Sequence, residues 1–205
     1  MHKLSASQLN RPTPEEFIRM PRRPLYVILD NVRSLNNIGS VFRTCDAFAV
    51  EKLFLCGITA CPPHRDIQRT ALGATETVAW EYFENTAQAV EKLKNEGVRV
   101  YAVEQVQGSV SLDDFEVEKG VRYALVLGNE VFGVAQDVVD MCHGALEVPQ
   151  EGTKHSLNVA VCAGVVTWDL FMKMRRLGCE EEQSISSAER HRPALCWYCA
   201  PERPG

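Results

Sequence analysis

The chain contains no apolar run near the roughly 18–20 residues of a membrane-spanning helix, so no membrane segment is expected. Residues 1–24 are polar and proline-dotted and hold no hydrophobic stretch of the kind that opens a secretory signal. Positive charge is not in excess: the formal net charge is −5, the wrong sign for a protein that grips nucleic acid over its whole surface. No Gly-Lys-Ser/Thr follows the glycine-containing stretch at 128–133, which excludes a P-loop. The first strand–helix turn, 30–39, lacks Gly-x-Gly-x-x-Gly, which counts against a dinucleotide fingerprint. There is one CxxC, Cys196 to Cys199, and no second. Joined by Cys179 and His191 it offers four ligands at irregular spacing, so no metal site is expected. No internal repeat is visible.

The 205 residues, 45% of them hydrophobic, suit one medium domain with short extensions. Four of the eight cysteines, Cys45, Cys56, Cys142 and Cys162, sit in apolar periodic segments, where a small buried thiol is the simplest reading. A chain this long needs no disulfide staples, so a reducing cytoplasm is expected. Charge is unevenly spread. Lys3, Arg11, Arg19, Arg22 and Arg23 enrich the start, and Lys154, His155, Lys173, Arg175 and Arg176 surround the last helix, while acids gather at 81–96, 113–118 and 180–182.

Apolar β-rich runs predict strands at 25–30, 52–56, 98–103, 123–127 and 145–148, with an edge strand at 77–83. Helical spacing predicts helices at 38–50, 67–72, 87–95, 135–142 and 157–177. Asn85 caps the third of these and Gly97 ends it; Gly178 is expected to end the last. Strands alternating with helices imply an α/β fold, a mostly parallel sheet flanked by helices on both faces. Its expected parts are a basic arm at 1–24, a domain at 25–177 and a tail at 178–205.

Three segments carry chemistry. Leu127-Gly128-Asn129-Glu130-Val131-Phe132-Gly133 closes a strand, at the sheet edge where open α/β sheets bind ligands. Its glycines allow close backbone approach to a flat ligand, though a tight turn with a helix-capping acid would use the same residues. Asn37, Gly39 and Arg43 open the helix after the first strand. An arginine there can hold a phosphate bidentately, or pair with Asp46 or Glu51 at the surface. Ser156, Leu157 and Asn158 open the last helix after Val148-Pro149, with Ser156 the simplest N-cap and Lys154 and His155 in the loop before it.

In this order and spacing, Asn37-x-Gly39, Arg43-Thr44, Leu127 to Gly133, Val148-Pro149 and Ser156 to Val159 resemble the SpoU/TrmH branch of the SPOUT RNA ribose methyltransferases, over about residues 25–177. Val131 stands where many relatives have glycine, and Gln150 where many have methionine. The resemblance implies a SPOUT fold with a C-terminal deep trefoil knot, which the usual topology rules would not supply. It also implies S-adenosylmethionine as cofactor, a homodimer, and tRNA or ribosomal RNA, not DNA, as partner. Leu127, Gly128, Val148 and Leu157 would surround the adenosine, with Asn129, Gly133 and Pro149 beside them. Arg43, Asn37, Glu130, Ser156 and Asn158 would form the catalytic set, Arg43 serving the partner subunit's cofactor. Arg22, Arg23, Arg65, Lys154 and His155 are candidate RNA contacts. Two other readings stay open. Against a non-catalytic RNA-binding or assembly protein stands the full set Arg43, Glu130, Ser156 and Asn158. Against a nucleotide-binding dehydrogenase stands the missing glycine fingerprint.

Overall fold

The structure is a computed structural model that describes residues 2–185. His191, Cys196 and Cys199 lie outside those residues. In chain order the elements are α1 (Pro14–Arg19), β1 (Arg23–Asp30), α2 (Leu35–Ala47), β2 (Val50–Cys56), α3 (Arg65–Ala71), α4 (Ala74–Thr77), β3 (Trp80–Phe83), α5 (Thr86–Asn95), β4 (Arg99–Val103), β5 (Val110–Ser111), β6 (Tyr123–Leu127), α6 (Gln136–Met141), β7 (Gly144–Glu147) and α7 (Val159–Ile185). The seven strands form one sheet in the order β3-β2-β1-β6-β4-β7-β5, with every neighbouring pair parallel. Among the described residues no helix is long and apolar enough to cross a membrane.

Both faces of the sheet are buried, which is why its strands are continuously apolar. The alternation along β1 shows the two layers. Leu25, Val27 and Leu29 pack with Val41, Phe42 and Cys45 of α2 and Ala163, Val166 and Leu170 of α7. Tyr26 and Ile28 point the other way, to Ala89, Val90 and Leu93 of α5 and Val138 of α6. The five described cysteines among the helices, strands and loops are unpaired thiols; Cys45 and Cys56 are fully buried, Cys142 and Cys162 only partly.

Several boundaries differ from expectation. The helix expected at 38–50 begins at Leu35, capped by the Ser34 hydroxyl on Asn37 N–H, and ends at Ala47. Ala49, expected within it, has a positive φ and turns the chain into β2. Ser156 does not cap the last helix. Asn158 does, its Oδ1 accepting from Ala160 and Val161 N–H, at 3.0 and 3.3 Å. Nor does Gly178 stop it: α7 continues to Ile185. Gly178 lacks the positive φ of a left-handed helix end, and a single interior glycine costs only about 1 kcal/mol. The expected arm is partly folded. Thr13 and Glu16 form a capping box around Pro14, and β1 starts two residues earlier than expected.

The carboxyl end of β1 organises the edge that carries the site. Asp30 is buried (2% exposed). Its Oδ1 accepts from the Thr86 hydroxyl at 2.5 Å and Asn31 Nδ2 at 2.8 Å, and its Oδ2 from Ala135 N–H at 3.1 Å. One carboxylate thereby fixes the starts of α5 and α6 against β1. Asp30→Ala strands three donors, the buried Thr86 hydroxyl and the partly buried Asn31 Nδ2 and Ala135 N–H, and hydrogen bonds to a charged group contribute about 1.5–3 kcal/mol each. The expected loss is about 3 kcal/mol in urea unfolding; a shift below about 0.5 kcal/mol would contradict this role.

Candidate active site

The segment after β6 closes on itself. Asn129 and Gly133 exchange both backbone hydrogen bonds, at 3.0 and 2.9 Å. Asn129 Oδ1 accepts from Val131 and Phe132 N–H, and Asn129 Nδ2 donates to Asn31 O at 2.8 Å. A Cβ on Gly128 would collide with the backbone of Gly133 and Val134, so only glycine lets the loop fold back on itself. Gly133 has a positive φ and lies against the Glu104 carboxylate, whose Oε2 accepts from Val134 N–H at 3.0 Å. The tip is left outside: Val131 is 69% exposed and Phe132 85%.

Glu130 ties this loop to α2. Its carboxylate accepts from Arg33 N–H (3.1 Å), Ser34 N–H (3.0 Å) and Asn37 Nδ2 (3.2 Å). Partial burial pushes its pKa up, but these donors and its own N–H outweigh that and hold it below the usual glutamate value. Asn37 Oδ1 in turn accepts from Asn158 Nδ2 at 3.2 Å. Residues 33–37, 129–133 and 158 are therefore bonded into one cross-tie.

Beside the cross-tie lies a cavity of about 460 Å³, walled by the carboxyl ends of β4, β6 and β7 and by the lead into α7. Leu127, Gly128, Asn129, Glu130, Gly133, Val148, His155, Ser156, Leu157 and Asn158 all line it. Asn37 reaches it through Glu130 and Asn158. Pro149 does not line it; it is exposed, and Gln150 contributes to the wall instead. Arg43 is not part of it. Arg43 lines a separate cavity between α2 and α3, and among the described residues it makes no ion pair with Asp46 or Glu51. Arg22 is turned inward, its guanidinium donating to Thr77 O at 2.9 Å and lying 3.9 Å from the Phe17 ring centre. Arg23 lies over Phe171, and Arg65 and Lys154 are exposed. Glu104, Gln105, Phe132 and Cys162 also line the main cavity and were not anticipated. Glu104 directly follows a predicted strand, and that position was the available signal.

The SpoU rRNA Methylase family matches residues 24–168. The chain is 27% identical over 188 residues to the tRNA (guanosine(18)-2′-O)-methyltransferase of Aquifex aeolicus, covering 89% of this chain and 85% of that protein. The crystal structure of the A. aeolicus TrmH/SpoU tRNA modifying enzyme superposes with a TM-score of 0.71 at 26% identity, over 85% of this chain and 91% of that one. An AdoMet-bound rRNA methyltransferase from Sinorhizobium meliloti gives a TM-score of 0.68 at 26% identity, over 78% and 60%. Other curated relatives are longer, and the chain spans only 65% to 60% of their length.

Because the folded Glu130 carboxyl titrates below its ordinary value, its contribution is complete at neutral pH and disappears as pH falls through the lowered pKa. Glu130→Gln should therefore unfold at lower urea than wild type at pH 7, with the gap closing as the carboxylate range is crossed into acid. A gap independent of pH would contradict this.

Proposed function

The chain belongs to the SpoU rRNA Methylase family, and on that premise we propose that it transfers a methyl group from S-adenosylmethionine to a ribose 2′-hydroxyl of structured RNA, either tRNA or ribosomal RNA. The observation that carries the proposal is the joining of all three chemistry-bearing segments by the Glu130–Asn37–Asn158 cross-tie, beside a cavity of about 460 Å³. That volume suits a nucleoside-sized ligand, and the wall combines apolar Leu127, Val148 and Leu157 with Gly128. These residues hold the adenosine part, supported by Asn129 and Gly133, with Pro149 shaping the chain from outside. When bound, the cofactor supplies an electrophilic sulfonium methyl: an O–C bond forms, the C–S bond breaks, and the hydroxyl proton leaves to solvent.

The protein's contribution is positioning. Ser156 and Asn158 receive the ribose. Asn37, held at both ends, orients Asn158. Glu130 is a brace, since its oxygens are occupied by three donors. Arg43 grips the phosphate next to the target ribose and lowers the pKa of its hydroxyl while keeping its own proton. Arg65, Lys154 and His155, with Arg23, extend the RNA path; Arg22 instead anchors the arm.

Arg43 reaches a donor pocket through a homodimer, each subunit lending its arginine to the other. Support comes from α7, which has two apolar faces. Val159, Ala163, Val166 and Leu170 are buried in the core, while Val161, Val165 and Trp168 form a second stripe that stays exposed, Trp168 by 52%. A helix apolar on both sides needs a cover on each. The unit at 25–177 carries the deep trefoil knot that the family resemblance implies. Unpaired thiols suit the reducing cytoplasm.

Calorimetry should show S-adenosylmethionine binding, and labelled donor should mark ribose 2′-oxygens in bulk RNA from a deletion strain; a protein indifferent to the donor would overturn the proposal. Arg43→Lys keeps charge but loses the bidentate fork, and kcat should fall about 100-fold; wild-type turnover would exclude the clamp. Trp168→Glu should yield monomers by light scattering and lose methyl transfer; a dimeric Trp168→Glu protein would exclude this interface.

A further inference from the structure

The cavity that holds Arg43 is unexplained by the donor pocket. It measures about 490 Å³ and is lined by two guanidinium side chains, Arg43 and Arg69, and three hydroxyl side chains, Ser40, Thr44 and Thr70. Gly39 explains the arrangement: a Cβ there would collide with the Thr70 hydroxyl and the Ile67 carbonyl, so α3 lies directly on α2. Arg43 is one turn beyond Gly39 on the same face of α2, and Arg69 adjoins Thr70 on α3. The two cations come from different helices and meet in one depression.

Arg69 is already oriented. Its Nη2 donates to Asn36 Oδ1 at 3.0 Å, and the Thr70 hydroxyl donates to Asn36 O at 3.0 Å. Its Asp66 neighbour is 3.9 Å away, one turn earlier on α3, in an exposed pair of little energetic weight. Arg43 has no ion-pair partner among the described residues. On a chain of net charge −5, two like charges converging without a carboxylate between them point to an anionic ligand.

We infer that this cavity is a binding site for the RNA backbone in which Arg69 is a second phosphate-gripping residue, acting beside Arg43, while the Ser40 and Thr70 hydroxyls both donate to Asn36 O and fix the wall. The inference rests on the RNA-methylating function proposed above. The Asn36 tether holds the Arg69 guanidinium ready, so less side-chain entropy is lost when phosphate arrives. Arg69 contacts the polymer away from the transferred methyl, so its loss falls on RNA affinity and on KM for RNA.

The experiment measures binding of bulk tRNA from a deletion strain by fluorescence anisotropy across salt concentrations. Arg69→Gln, which keeps a donor for Asn36 but no charge, should bind about tenfold more weakly near 0.1 M salt. Its slope of log K against log salt should become shallower by about 0.7–0.9, the signature of one lost phosphate contact. Arg69→Lys should restore the slope, because charge alone governs counterion release. Calorimetry of S-adenosylmethionine should be the same for all three proteins, which reports an intact fold and donor pocket. Unchanged tRNA affinity and slope in Arg69→Gln would overturn the inference, as would inorganic phosphate binding that depends on Arg69 while tRNA binding does not. If wild type binds tRNA with the Arg69-dependent slope yet transfers no methyl, the function above fails and the phosphate site stands.

Discussion

The site depends on one polar cross-tie, in which Asn37 Nδ2 donates to Glu130 and Asn37 Oδ1 accepts from Asn158. It joins segments 93 and 121 residues apart in sequence. The sheet brings their anchors together: β1 and β6 are neighbours in register, Leu29 beside Leu127, so the loops that leave them emerge side by side. Without the parallel ladder the three segments would not meet. Without the cross-tie they would share an edge with no fixed geometry.

Saturation of the acceptors matters as much as the connection. Glu130 accepts two backbone N–H groups at the start of α2, where the helix offers unpaired donors and a favourable field for an anion. A carboxylate so occupied is a poor base and a good strut. The same economy appears at Asn129, whose side chain closes its own loop at one end and holds the Asn31 carbonyl at the other. The cross-tied edge is thus built from groups whose orientations are set before any ligand arrives, as the positioning role proposed for it requires.

Much of this was legible in the sequence because the signals were periodic. Leu25 to Asp30 and Tyr123 to Leu127 read as buried strands and are buried strands. Asn85 caps its helix as its residue type suggests. The failures have local physical causes. Ser156 and Asn158 are equally good N-caps by type, and which one acts is decided by the Asn37 contact, a tertiary fact. Gly178 looks like a helix stop, but a stop needs the left-handed conformation it does not adopt. The two-residue β5 is too short to leave a pattern. Leu127 to Gly133 stood out at the end of a strand and Ser156 to Asn158 at the opening of the last helix, and both segments line the same cavity. Arg43 lines a different cavity because helix spacing says which face a residue occupies, not what stands opposite. Arg22 stood as a candidate RNA contact, yet its guanidinium donates to Thr77 O and lies over the Phe17 ring.

On the function proposed, the edge formed by the ends of β4, β6 and β7 and the start of α7 is one donor site. Hydrogen–deuterium exchange with and without S-adenosylmethionine tests it most directly. Amides at 127–134, 146–150 and 155–161 should become protected together, at donor concentrations that saturate a single class of sites, while β2 and β3 are unaffected. Protection confined to one of these segments, or located at the opposite edge of the sheet, would contradict it.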